Sequence, residues 1–382
     1  MYSFLLWREF KLSIAEINAV FPEWKTVFCN NKVLVMDDLS EDDILSKASR
    51  LWWTIKICKV LETIKPSYES ITSCLFKHKT DWKFTYWVSL FWVKMDLKKL
   101  LLNVKKYLRS NEVSSRFINK DFKNLNSAQI ISEKLIKKWS DFSVFMAWDK
   151  AYFTKSIFIQ DIDSYSDRDY SKWRDMQIWM LPPKLSQIMI NLSWGQTIYD
   201  PFVWLWTVLI ESIYMWNKLV LWSDLNQRMV EVSSDNLSSL KEKFDFDFDI
   251  FNLNAKFISE RTNELNKADA IVTEWYLWEV MTQKNISMDR IEKQKDSLEK
   301  IYEWFFAWLS KSNFSWKIVI SFPFWELNWE YKFCDNIYSI LENYTDIHPL
   351  NVQSFSPTKM WSLLYKREKQ LVWREVFLLW IK

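Results

Sequence analysis

Polar residues close four short apolar runs in the second half of the chain: Asp200 after QTIY, Asp224 after KLVLWS, Asn254 after FDIFNL and Glu274 after AIVT. If each run is a strand of one parallel sheet, the four groups meet at its carboxyl edge, where open α/β sheets bind ligands. Asp224 follows the first turn at the spacing from which an acid reaches ribose hydroxyls. Asn254 and Ala255 fall where an adenine edge would lie. Any one of these, taken alone, is equally well a solvated loop residue; the ordered set is the signal.

The turn after Asp200 reads Asp200-Pro201-Phe202-Val203-Trp204-Leu205-Trp206-Thr207. Its layout is that of a nucleotide-binding loop, which needs glycines for close backbone approach and positive φ. Here Trp204 and Trp206 occupy those places. The chain holds 1 Gly and 26 Trp in 382 residues, whereas ordinary glycine usage of about 7% would give roughly 27. Trp216 follows a helix-like run, at the site where glycine is favoured, and Trp139 does the same after SAQIISEKLIKK. Trp329 in "NW" and Trp148 in "AWDK" sit where turn glycines belong. The simplest cause is UGA codons, read as glycine in the source lineage, written as Trp. A Trp-rich protein with stacking surfaces is the alternative. Trp325 in FPFWEL and Trp82 in TDWKF have the contexts of true tryptophans.

These loops need elements to hold them. From about 175 onward strands QTIYD, KLVLW, FDIFNL, AIVTE and KIVISF alternate with helices such as RMVEVSSDNLSSLKEK, which predicts a parallel sheet covered on both faces. MWSLLYKRE and REVFLLWI close it as an antiparallel hairpin. Residues 1–80 read as a small α+β segment. Residues 81–165 form a second α/β unit with a helix over 96–110, in which Leu97, Leu100, Leu101, Val104 and Leu108 share one face.

Charge is nearly balanced, 51 Lys+Arg against 48 Asp+Glu. Between Lys94 and Lys138, however, 12 basic residues face four acids. Lys98, Lys99, Lys105, Lys106, Arg109, Arg116 and Lys120 are among them. This is either a pair of solvated helix faces or a phosphate-tracking surface. The four cysteines lack CxxC spacing and there are two histidines, so no metal site and a reduced, cytoplasmic setting are expected. No run of 18 apolar residues spans a membrane, and MYSFLLWREF lacks a signal-peptide pattern.

Nicotinamide and methyl-donor folds both suit such a sheet. With glycine at 204 and 206 the turn becomes D-P-F-V-G-L-G-T, which resembles motif I of the class I S-adenosylmethionine-dependent methyltransferases, as does the final hairpin. RDMQIWMLPPKLSQIMINL (174–192), FIQDIDSYSDRDYSKWRD (158–175) and LLYKREKQLVWREVFLL resemble segments of the THUMP-domain tRNA guanosine-N2 methyltransferases. The 81–165 unit resembles their THUMP RNA-binding domain, and LLWREFKLSIAEI their N-terminal segment.

The resemblance implies a Rossmann-like methyltransferase domain over 166–382, preceded by an α+β, THUMP-like RNA-binding region. It implies transfer of a methyl group from S-adenosylmethionine to the exocyclic amine of a tRNA guanosine, with a small activating protein as an open question. Asp200, Phe202, Trp204, Trp206 and Thr207 would line the methionine side, Asp224 the ribose, Asn254 and Ala255 the adenine. Glu274 would accept from the target amine and Tyr276 stack on an extruded base. The motif here, TEWYLW, departs from D/N-P-P-Y/F: Glu replaces Asp, both prolines are gone, and Tyr276 comes one position early. A methyltransferase acting on DNA or protein and a non-enzymatic RNA-binding protein are the rival readings.

Overall fold

The structure, a computed structural model, describes residues 1–80, 83–118, 121–138, 140–160, 181–202, 207–254, 257, 260, 262–274, 281, 285–312, 314–367 and 370–382. The chain divides into two compact units, Met1–Phe10 with Glu23–Lys172, and Lys11–Pro22 with Trp173–Lys382.

The first unit carries strand β1 (Tyr2–Leu6), followed in the chain by helix α1 (Phe10–Val20), which packs in the second unit. It continues with β2 (Lys25–Cys29), β3 (Val33–Asp37), α2 (Glu41–Ala48), β4 (Thr54–Ile64), α3 (Tyr68–Lys77) and β5 (Lys83–Phe91). Helix α4 (Leu97–Ser110), β6 (Ser114–Phe117), α5 (Ser127–Ser132), β7 (Asp141–Ala147) and β8 (Lys150–Ile159) complete it. The strands form one sheet in the order β2-β3-β1-β4-β8-β7-β5-β6, so strands from 1–80 and from 81–165 share it.

Helix α4 starts where the Asp96 side chain accepts from the Lys99 N–H at 3.0 Å, filling one of the orphan donors of the first turn. Its Leu100, Leu101, Val104 and Leu108 are buried against the sheet, with Leu97 packed at the margin. The helix expected to run to Lys138 stops at Ser132. Lys134 adopts a left-handed φ of 55°, with hydrogen bonds from Lys134 to Ile131 and from Leu135 to Ile130. This closure turns Leu135 into the core, where it is fully buried. The helix stop placed at Trp139 is therefore corrected; Trp139 itself lies outside the described residues.

The second unit holds α1, α6 (Pro183–Ser193), β9 (Thr197–Asp200), α7 (Thr207–Tyr214), β10 (Leu219–Asp224), α8 (Gln227–Leu240), β11 (Asp247–Asn252), α9 (Thr262–Leu265) and β12 (Ala270–Glu274). It ends with α10 (Met288–Leu309), β13 (Lys317–Leu327), β14 (Glu330–Lys332), α11 (Asp335–Tyr344), β15 (Thr345–His348), β16 (Leu363–Tyr365) and β17 (Val372–Ile381). The main sheet runs β11-β10-β9-β12-β13-β17-β15. The first five strands are parallel, and β17 lies antiparallel between β13 and β15, paired also with β16. This is the doubly wound sheet with an antiparallel C-terminal hairpin that the strand pattern predicts. No helix among the described residues is long and apolar enough to cross a membrane.

Among the described residues, twelve that are not glycine have positive φ, and six of these are Trp92, Trp148, Trp194, Trp216, Trp329 and Trp361. All six indoles are exposed, between 44% and 93%. Trp216 is the left-handed residue of a helix stop: its N–H bonds the Ile213 carbonyl, and the Asn217 N–H bonds that of Ser212. Asn328 and Trp329 both have positive φ between β13 and β14, the conformation of a type I′ hairpin that favours Asn-Gly. Trp325, by contrast, is fully buried on β13. Trp222, on β10, is also fully buried. Trp82 lies outside the described residues.

Candidate functional site

The registers align Trp222 with Asp200 and Asp224 with Asn252, so β9, β10 and β11 end at a common edge, and β12 adds Glu274. Three of the expected strand ends, Asp200, Asp224 and Glu274, close their strands at this edge, whereas β11 ends at Asn252, two residues before the expected Asn254. Asp200 is 2% exposed, and its Oδ1 accepts from the Phe202 N–H at 3.0 Å and the Thr273 hydroxyl at 2.6 Å. Burial pushes its carboxyl up to about 7, the two hydrogen bonds oppose this, and the Asp224 and Glu274 carboxylates add to the rise. Asp200 therefore senses both of the neighbouring acids at this edge.

Phe202 is half-buried, its ring centroid 5.2 Å from that of Phe305. Thr207, 5% exposed, opens α7. Asp224 folds its own turn, accepting from the Asn226 N–H at 2.7 Å, and its carbonyl takes the Leu253 N–H at 3.0 Å. That second bond ties the β10 and β11 loops together. The Asn254 carbonyl accepts from the Phe257 N–H at 2.8 Å. Trp204, Trp206, Ala255 and Tyr276 lie outside the described residues.

Glu274 ends β12 and is ion-paired with Arg374 of β17, Nε to Oε1 at 2.5 Å; the side chains are 14% and 1% exposed. Burial holds the Glu274 carboxyl above its ordinary value, and the Arg374 guanidinium offsets only part of that rise. Reading the sequence missed Arg374. Its signal was the charged pair Arg374-Glu375 inside the otherwise apolar run VWREVFLLWI.

In the first unit, α4 exposes Lys98, Lys99, Lys105, Lys106 and Arg109 on the side away from its leucines. Aromatic rings are interleaved with them: Lys98 lies 5.4 Å from the Phe122 ring, Lys99 5.1 Å from Tyr68, and Lys105 5.7 Å from Phe117. Arg116, exposed on β6, pairs loosely with Glu133 at 3.5 Å. Lys120 lies outside the described residues.

No family model matches the chain, and no curated protein matches it. Among solved structures, TrmN from Thermus thermophilus superposes on 100% of this chain and 99% of its own, with a TM-score of 0.53 at 11% identity. A "possible methylase" from Clostridium difficile 630 covers 98% of this chain and 97% of its own, at 10% identity and a TM-score of 0.47. The likeness to TrmN is one of fold, and it extends over both units.

Proposed function

We propose that this chain is a methyltransferase that uses S-adenosylmethionine and acts on the exocyclic amine of a guanosine in tRNA. The observation that carries the reading is the acidic edge formed by Asp200, Asp224 and Glu274 on a sheet closed by an antiparallel hairpin. Clustered carboxylates in a buried site repel one another, and a cationic ligand relieves that repulsion. S-adenosylmethionine, when bound, supplies a cationic sulfonium whose methyl group is open to attack by an amine. The motif resemblance and the whole-length likeness to the TrmN fold point the same way.

Asp224 would accept from the ribose hydroxyls, and Asn254 and Ala255 would meet the adenine edge. Asp200, Phe202, Trp204, Trp206 and Thr207 would line the remaining side. Glu274 would accept a hydrogen bond from the target amine and orient its lone pair, with Tyr276 stacking on the base. Such a reaction needs alignment and a fixed polar cage more than covalent help. The lysines of α4 would track the RNA backbone, their neighbouring rings offering stacking surfaces.

The same proposal takes the tryptophans of the turns, Trp204 and Trp206 included, as positions where the functional protein has glycine. The six exposed, positive-φ indoles support this. Trp325 would be a true tryptophan. A non-enzymatic RNA-binding protein is the competing reading, favoured by the engagement of one Glu274 oxygen with Arg374.

The test is a chain with glycine at the turn positions and at 204 and 206, incubated with radiolabelled S-adenosylmethionine and tRNA. Label transferred to a guanosine amine supports the proposal. Tight tRNA binding with no transfer over many hours supports the competing reading.

A further inference from the structure

Arg374 is an unusual residue for its place. It lies on β17, between Trp373 and the likewise buried Glu375 in a strand that is otherwise apolar, and is 1% exposed. Removing a guanidinium from water costs several kcal/mol, and an apolar side chain of similar volume commonly packs there at least as well. Its benefit is therefore sought in its partner rather than in packing.

The sheet register brings the partners together. Glu274 is paired with Ser321 on β13, and Ser321 with Val376 on β17. Arg374 stands two residues before Val376, and alternate residues of a strand face alike. Glu274 and Arg374 thus emerge on one face, across the extension of β13 beyond β12, and meet at 2.5 Å. Arg374 from β17 acts on Glu274, and Glu274 in turn raises the carboxyl of Asp200 on β9 and the hydroxyl of Tyr302 on α10. Arg374 is the cation of that set.

We infer that Arg374 is the positioning residue of the site: from the closing strand it fixes the Glu274 carboxylate and keeps it ionised, leaving the second oxygen to accept from the substrate amine. The inference rests on the reading of Glu274 as the group that meets that amine. A buried carboxylate without a cation takes up a proton. In that form its hydroxyl is a donor, and it competes with the amine hydrogen instead of receiving it.

The experiment uses the full chain with glycine restored, and its Arg374→Met, Arg374→Lys and Glu274→Gln variants. Carbon-13 NMR of glutamate carboxyls, with Glu274→Gln assigning the signal, follows Glu274 without donor or RNA. In Arg374→Met its midpoint should rise by about one pH unit or more, and single-turnover methyl transfer near pH 7 should fall about tenfold or more, recovering toward about pH 9 as the carboxyl ionises. Donor affinity should stay unchanged. Arg374→Lys should keep the parental pH profile within about threefold, because the charge remains. An unmoved Glu274 midpoint, or an unchanged rate and pH profile in Arg374→Met, overturns the inference. If the parent transfers no methyl group at any pH, the functional reading fails, while the NMR midpoint still decides whether Arg374 holds Glu274 charged. If Arg374→Met does not fold, Arg374→Gln, which keeps a donor without the charge, supplies the same comparison.

Discussion

Thr273 donates a 2.6 Å hydrogen bond to Asp200, linking the carboxyl ends of β12 and β9 beneath the acidic edge. The acceptor is a carboxyl that burial pushes up to about 7. Its ordinary value in an unfolded chain is near 4. The folded state therefore holds a proton that the unfolded state releases between those values. The stability this group contributes is complete below about pH 4 and is lost as pH rises through about 7. Asp200→Asn keeps the shape of the protonated acid and its acceptor for Thr273. It should stabilise the protein at pH 8 by about 2 to 4 kcal/mol, with the gain shrinking toward pH 4. Urea melts at both pH values measure this, and an equal effect at each would refute the assignment.

Glycine at Trp329 should stabilise the hairpin between β13 and β14. A left-handed conformation costs a residue with a Cβ roughly 1 to 2 kcal/mol, and glycine almost nothing. Trp329→Gly, Trp216→Gly and Trp148→Gly should each raise stability by about 1 kcal/mol, additively because the sites lie in separate turns. Trp325→Gly should instead lose about 3 to 5 kcal/mol as a core cavity opens. Thermal unfolding of the four variants decides. The codons provide an independent check: UGA is expected at 204, 206 and 216, and UGG at 325.

Glu274→Gln in the glycine-restored chain preserves size and removes charge. Single-turnover transfer to tRNA should fall by a factor on the order of 10², with donor and tRNA affinities nearly unchanged. Transfer at the parental rate would remove Glu274 from the reaction and strengthen the case for an RNA-binding protein without turnover.

Binding of tRNA should weaken steeply with salt, since each phosphate contact releases a counterion. Neutralising Lys98, Lys99, Lys105 and Lys106 together should reduce the slope of log affinity against log salt by about 2 to 4. Donor binding should not change. A slope that stays put would move the RNA contact away from α4.

The site edge was legible because β9 to β12 are short apolar runs, each ended by a polar residue, and because a parallel sheet aligns such ends without further information. The turn chemistry was legible only through misfit: indoles stood where Trp216 and Trp329 take positive φ. The early stop of α5 was not legible. Its propensities favour continuation, whereas the helix ends at Ser132 with Lys134 left-handed and Leu135 buried. Arg374 escaped for a similar reason: its partner lies 100 positions away and two strands across.

Helix α1 is made early in the chain yet is held by residues made late. Glu16 accepts from Asn191, Asn18 donates to the Asn351 carbonyl and accepts from Gln353, and Lys11 donates to the Ser356 carbonyl, a separation of 345 positions. A ribosome therefore releases α1 long before its partners exist, and these contacts of the second unit cannot form until Ser356 has emerged. Contacts so distant along the chain slow folding, because the intervening segment must first be gathered in. A fragment beginning at 173 would have the proposed catalytic residues but would lack Lys11, Glu16 and Asn18, and with them these ties to the second unit.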